Sequence, residues 1–294
     1  VEGLDDYWHK SLCFLLKSEM SRLEGHYSQA LNNAFHALEI TEVYNYPFLR
    51  AQIFHKIGSI YTEMSEYDIA IEFLFRCLRI TEPSHIDPLS ASAYQSLGWI
   101  FMEQKNYQLA LDYVDRAEKM RREMGDQFGI AHALNIRALI YSYQKEYANS
   151  LKEHEKAMEY RDSVNDRAGI AATLYNMALV YEDQKNLTKA LELQRQSLKI
   201  DEALGNPLNV NLSYIGIAGL LVKMNLLDEA EVYLLKSKQL AEKTGSIIML
   251  RDNYKIYAEF YEARGNYKNA YDYAKKFRIM NDSIFSETSS LKIA

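Results

Sequence analysis

Residues 57–78 read IGSIYTEMSEYDIAIEFLFRCL, and residues 97–118 read LGWIFMEQKNYQLALDYVDRAE. Gly58, Tyr67 and Ala70 return forty positions later as Gly98, Tyr107 and Ala110. A fixed spacing of this kind marks one supersecondary unit copied along a chain. In rows of forty starting at 11, 51, 91, 131, 171, 211 and 251, the eighth position holds Ser18, Gly58, Gly98, Ala138, Ala178, Ala218 and Ala258. The twentieth holds Ala30, Ala70, Ala110, Ser150, Ala190, Ala230 and Ala270. Both columns are small throughout, so two helices are expected to approach closely there. The seventeenth holds Tyr27, Tyr67, Tyr107, Tyr147, Leu187, Leu227 and Tyr267, a large apolar body placed to pack between paired helices just after a turn.

Apolar residues around these columns keep helical spacing: Leu134, Ala138 and Tyr141 fall at i, i+4 and i+7, as do Leu174, Ala178 and Tyr181. Strand alternation is absent. Pro47, Pro83, Pro88 and Pro207 all fall late in a row, where proline ends one helix or opens the next. Gly125, Gly205 and Gly245 share one column and suit the left-handed residue that closes a helix.

The 294 residues are 48% hydrophobic and 25% charged, the balance of a folded protein with a substantial core. A formal charge of −6 argues against a chain whose main task is gripping phosphate backbones, which needs a basic face. Cys13 and Cys77 lie far apart in no metal-binding or redox spacing, so buried apolar cysteine is the expectation. No stretch approaches the roughly 18 apolar residues of a membrane span. The chain opens on Val1 and is expected to be a piece of a longer protein.

The columns resemble the tetratricopeptide repeat, whose small residues at positions 8, 20 and 27 let helix A of each unit pack against helix B and the next helix A. Position 27 agrees in part, with Ala37, Ala117 and Ala157 but Cys77, Ser197, Ser237 and Phe277. The resemblance implies a right-handed all-α solenoid of about seven helix pairs. Residues 1–10 would form an N-terminal helical extension, 11–284 the seven repeats, and 285–294 a tail or the start of an onward helix. The family period is usually 34. The forty kept here, lengthened around MGDQFGIA (124–131) and VNDRAGIA (164–171), resembles kinesin light chain, the mitotic adaptor with GoLoco motifs, and bacterial Rap-type peptide-controlled regulators.

Enzyme chemistry finds no support in the motifs. HEKAM (154–158) begins like a zinc-protease helix but has Met158 where the second histidine belongs, and no GxxxxGK[ST], GxSxG or GxGxxG occurs. No cofactor or metal is expected, and the chain reads as a non-catalytic binding module. A Rap-type phosphatase-stimulating or DNA-blocking activity would also need a helical bundle ahead of the first repeat. In tetratricopeptide arrays the ligand trough is lined by helix A positions near 2, 5, 6, 9, 12 and 13. Those rows here include His55, Lys56, Gln95, Trp99, His132, Asn135, Tyr143, Tyr175 and Asn176. Amides that pair with both N–H and C=O, mixed with aromatic faces, suit an extended peptide. Asn176, in LYNMALVY, matches an asparagine that in related regulators contacts peptide backbone, although a cap or inter-helix bond would also account for it. Trp99 equally suits a gap between repeats. The lysine and asparagine clamp of chaperone-tail binders is absent, with Leu15 and Glu19 at its first-repeat positions.

The closing stretch FRIMNDSIFSETSSLKIA (277–294) resembles the junction in bacterial sensors where such an array passes into a coiled coil and then a histidine kinase or helix-turn-helix output. The expected function is therefore the sensor region of a bacterial signalling protein, on either side of the membrane, that binds a protein or peptide segment. Direct nucleic-acid binding and membrane insertion are not expected of this region, and a dimer would form through a downstream coiled coil. A free-standing scaffold is the alternative, and an enzyme with a site between repeats a remote one.

Overall fold

The structure is a computed structural model that describes residues 2–23, 25–83 and 87–289. Among these residues lie fourteen helices and no strand: α1 (Glu2–Leu23), α2 (Tyr27–Tyr44), α3 (Pro47–Glu63), α4 (Tyr67–Thr81), α5 (Asp87–Glu103), α6 (Tyr107–Glu123), α7 (Gln127–Tyr143), α8 (Tyr147–Ser163), α9 (Arg167–Asp183), α10 (Leu187–Leu204), α11 (Pro207–Lys223), α12 (Leu227–Thr244), α13 (Ile247–Ala263) and α14 (Tyr267–Ser289). The architecture is an all-α solenoid of helix pairs, with α1 packed on α2, α3 on α4, α5 on α6, α9 on α10 and α11 on α12. The chain divides into a unit up to Ile140 and another over Tyr141–Phe285.

Small residues set the helix spacing. In the first unit a Cβ on Gly58 would stand 2.9 Å from Leu74 Cγ, and one on Gly98 2.6 Å from Val114 Cγ2. Ala30, Ala70 and Ala110 are wholly buried there, as are Ala190 and Ala230 in the second unit. Leu49, Ile53, Ile57, Leu74 and Leu97 fill the first core, and Ile217, Leu220, Leu221, Leu234 and Phe260 the second. The last pair differs, since Ala270 is only half-buried and Tyr267 is 72% exposed.

Turn chemistry explains where the helices stop. Gly125, Gly205 and Gly245 take φ of +67°, +71° and +67°, the left-handed conformation that costs glycine nothing. The turn within each pair also contains a left-handed residue, and there it is often not glycine: Ser65, Lys105, Lys145, Lys185 and Asn225 all have φ between +58° and +64°. Pro47 and Pro207 open α3 and α11 in the first turn, where no backbone N–H is needed.

The stretches at 124–131 and 164–171 each form a clamp. Arg121 pairs with Asp126 at 2.7 Å, and Asp126 Oδ1 accepts from the Gly129 N–H at 2.9 Å. In the second unit Asp166 Oδ1 accepts from the Gly169 N–H at 2.8 Å, while Arg161 donates to the Gly169 carbonyl and to Thr173 Oγ1. A Cβ on Gly129 or Gly169 would crowd the side chains of the arginine and aspartate of its own clamp, which would have to shift to admit it.

A stacking motif recurs on another face. Arg76 lies over Phe54 and Phe73, Arg116 over Tyr94 and Tyr113, Lys236 over Tyr214 and Tyr233, and Lys276 over Tyr254 and Tyr273, at 4.6 to 6.0 Å from the ring centres. In these four repeats the cations and rings occupy the same three rows.

Residues 2–10 continue directly into the rest of α1. At the other end α14 runs on as helix to Ser289, while Leu291 and Ile293, which the tail expectation invoked, lie outside the described residues, as does the side chain of Ile284.

Candidate functional site

Tyr175 and Asn176 emerge side by side on α9 because Leu174, Met177 and Ala178 turn the rest of that helix into the core. Together with Ala172, Ser197, Asp201, Asn209, Leu212 and Ser213 they line a cleft of about 120 Å³ between α9, α10 and α11. Asp201, on the last turn of α10, is only 4% exposed. Its Oδ2 accepts from Ser213 Oγ at 2.7 Å and lies 3.4 Å from Ser197 Oγ, whose better bond is to the Ala171 carbonyl at 2.9 Å. No hydrogen bond reaches Oδ1 among the described residues, and Asp201 makes no ion pair there. Burial pushes the Asp201 carboxyl above the usual range, against the lowering effect of the two serines. The Tyr175 phenol is also raised, first by burial and then by the Glu182 and Asp252 carboxylates.

Packing does not demand this carboxylate. The same row one repeat later holds Ala241, buried without polar partners, and the neighbouring bonds there run between Ser237, Asn211 and Asn253 instead. Two amides, two hydroxyls, a phenol and a carboxylate thus converge on one cleft, offering both donors and acceptors to a chain laid across it.

The other sequence-derived candidates belong to α3, α5 and α7. Lys56 donates to Glu19 at 2.6 Å, and Glu19 also accepts two bonds of 2.9 Å from Arg22, which pairs in turn with Glu63. The Arg22 hydrogen bond, aided by Lys56, holds the Glu19 carboxyl down at about 2. Lys56 is therefore committed within the protein. His55 is half-buried beside Ser96, 3.4 Å from its hydroxyl, and burial followed by the Lys56 charge lowers its pKa to about 4. The imidazole is neutral at pH 7. Gln95 turns inward: its Nε2 donates to the Gly129 carbonyl at 3.0 Å and its Oε1 lies 3.4 Å from Arg121, so the amide supports the loop clamp. Trp99 is 38% exposed on α5, His132 is exposed and Asn135 half-buried on α7, and Tyr143 is 57% exposed at the end of that helix.

Of the residues that line this cleft, the sequence reading named Tyr175 and Asn176 as candidates but not Asp201, Asn209, Ser197 and Ser213. One signal was present. The row of Asp201 reads Thr41, Thr81, Arg121, Arg161 and Asp201 before Ala241, five polar or charged residues in a row that the structure buries except at the half-buried Arg121. Among the described residues no group of three His, Cys, Asp or Glu is placed to hold a metal ion, and no helix is long and apolar enough to cross a membrane.

Comparison with known proteins agrees with this geometry at the level of fold. A Rap protein complexed with competence and sporulation factor superposes with a TM-score of 0.72 at 14% identity, over 95% of this chain and 76% of that one. The apo form of RapI gives 0.66 at 16% identity, over 93% and 98%. A signal-transduction ATPase with numerous domains, which carries a tetratricopeptide repeat sensor and comes from Pyrococcus horikoshii, gives 0.64 at 16% identity, over 95% of this chain and 43% of that one. No curated protein matches in sequence. The tetratricopeptide repeat profile, however, matches residues 49–123 and 129–203, about half of the chain, and with the paired helices and buried small columns described above it places the protein. The chain belongs to the tetratricopeptide repeat family.

Proposed function

We propose that this chain is a non-catalytic binding module, the sensor region of a bacterial signalling protein, that recognises an extended peptide or protein segment. The observation that carries the reading is the cleft at Tyr175, Asn176 and Asp201. Asn176 would pair with the backbone of the segment, Asp201 Oδ1 would accept one of its N–H groups or a cationic side chain, and the Tyr175 ring would cover an apolar one. Trp99, His132 and Asn135 offer a further surface on the first unit. The fold-level likeness to a Rap protein complexed with competence and sporulation factor and to a sensor-bearing ATPase supports a sensory role over a passive scaffold.

The test is calorimetry with peptides selected from a random library against the unmodified protein. Losing a hydrogen bond to a desolvated backbone group costs roughly 1–3 kcal/mol, so Asn176→Ala should weaken such a peptide about five- to a hundred-fold while the protein stays folded. Unchanged affinity with a lowered melting temperature would assign Asn176 a structural bond instead. Peptides that bind Asp201→Asn and Asn176→Ala as tightly as the parent would remove the cleft from the reading.

A further inference from the structure

Four helix pairs fill one place in the repeat with rings of their own, stacked under Arg76, Arg116, Lys236 and Lys276. On α9 and α10 the same three rows hold Leu174, Leu193 and Gln196, with neither ring nor cation. Beside these rows of α9 and α10 the protein has a groove of about 510 Å³ between α8, α9 and α10. Met158, Ile170, Leu174, Ile200 and Leu204 form apolar walls, and Gln196 borders them where other pairs carry the cation. The volume falls within the range of ordinary ligand sites.

Two cations flank this groove. Arg167 and Lys199 line it, both side chains are exposed, and neither makes an ion pair among the described residues. In a chain with net charge −6, two unpaired cations beside apolar walls are a local reversal of sign. Lys199 stands three residues beyond Gln196, close to one helical turn, so a ring entering the groove would meet a cation much as the internal rings do. Leu174 and Asn176 are two residues apart, about 200° around α9, so the groove and the Asn176 cleft open on opposite sides of the helix.

We propose that this groove is a docking slot for a partner protein segment that inserts an aromatic side chain flanked by carboxylates. The ring takes the place that four other repeats fill from within, and the carboxylates pair with Arg167 and Lys199. Apolar burial supplies attraction, and the charges select acidic over basic neighbours. The slot is independent of the Asn176 cleft.

The probe is the peptide acetyl-Glu-Trp-Glu-amide, titrated into the whole protein and followed by NMR, with Lys-Trp-Lys and Glu-Ala-Glu analogues as controls. Binding in the millimolar range or tighter is expected, with each analogue at least about fivefold weaker, since a desolvated cation–π contact or a charge pair carries about that factor. The double variant Leu174→Tyr, Gln196→Lys rebuilds the internal stack and should abolish binding. Should that variant fold poorly, Arg167→Glu with Lys199→Glu should lose the preference for the acidic peptide at an unchanged melting temperature. Asn176→Ala should bind the probe normally. The proposal is overturned if no binding occurs at millimolar probe, if the three peptides bind alike, if the rebuilt stack binds as well as the parent, or if Asn176→Ala abolishes binding. A parent dimer that the rebuilt stack converts to monomer would also overturn it, by assigning the slot to a second copy of this chain.

Discussion

Ser213 donates its hydroxyl to Asp201 Oδ2 across 2.7 Å, tying α11 to α10 through a buried carboxylate that has no cation beside it among the described residues. A carboxyl whose folded pKa is raised is stable below its ordinary range and loses stability as pH rises through the folded value. Asp201→Asn keeps an acceptor for Ser213 and removes the charge. The variant should therefore melt at or above the parent temperature at pH 7, with the difference closing at acid pH. A variant that melts well below the parent at pH 7 would mean that the charge itself stabilises the fold.

Acid should destabilise the protein through two histidines. His154 is wholly buried with both ring nitrogens unbonded, and burial followed by the Arg161 charge lowers its pKa to about 3; His55 is lowered to about 4. Both unfolded imidazoles bind protons near pH 6.5, so stability is complete above that value and falls as pH drops toward 3–4. Each histidine should contribute a slope of up to about 1.4 kcal/mol per pH unit in that window. Denaturant titrations of the parent and of His154→Leu at pH 7 and 5 check this, and the variant should show the shallower loss.

The close approach at Gly98 predicts coupling with Val114. A Cβ at that position meets Val114 Cγ2 at 2.6 Å and the Ala110 carbonyl at 3.3 Å. Gly98→Ala should cost about 1–3 kcal/mol from overpacking. Adding Val114→Ala removes the clashing methyl, so the double variant should lose less than the sum of the two single losses. Strict additivity in thermal or urea melts would show that the helices part without strain.

Left-handed lysines mark places where the fold gives up stability. Lys185 takes φ +63° in the exposed turn between α9 and α10, a conformation that costs an ordinary residue roughly 1 kcal/mol relative to glycine. Lys185→Gly should stabilise by up to about 0.5 kcal/mol, the relieved strain less the roughly 0.5–1 kcal/mol of added unfolded-state entropy of glycine. A lower melting temperature would show that entropy outweighs the relieved strain.

The loop clamps should be worth more than their exposure implies. Asp166 caps the Gly169 N–H at 2.8 Å and faces the Arg161 guanidinium, which burial already disfavours as a cation. Asp166→Ala should cost at least about 1 kcal/mol, the value of a cap, and more if Arg161 is left without an acid. Asp166→Asn retains the cap and isolates the charge component, so the two variants read together in urea melts apportion the loss.

The sequence alone determined the repeat frame, because a stack of helix pairs must keep small residues where backbones approach, and that requirement repeats with the period. Gly58, Gly98, Ala190 and Ala230 are legible for that reason, as are Pro207 and Gly205 at the limits of α11 and α10. Tyr175 and Asn176 were legible as surface residues of one helix face. Only the tertiary structure decided which polar groups meet. Periodicity reports which side of a helix faces inward, but not which residue on the next helix stands opposite. Hence Lys56 is spent on Glu19 and Gln95 on Gly129, while Asp201 and Ser213, twelve residues apart and on different helices, complete the cleft around Asn176.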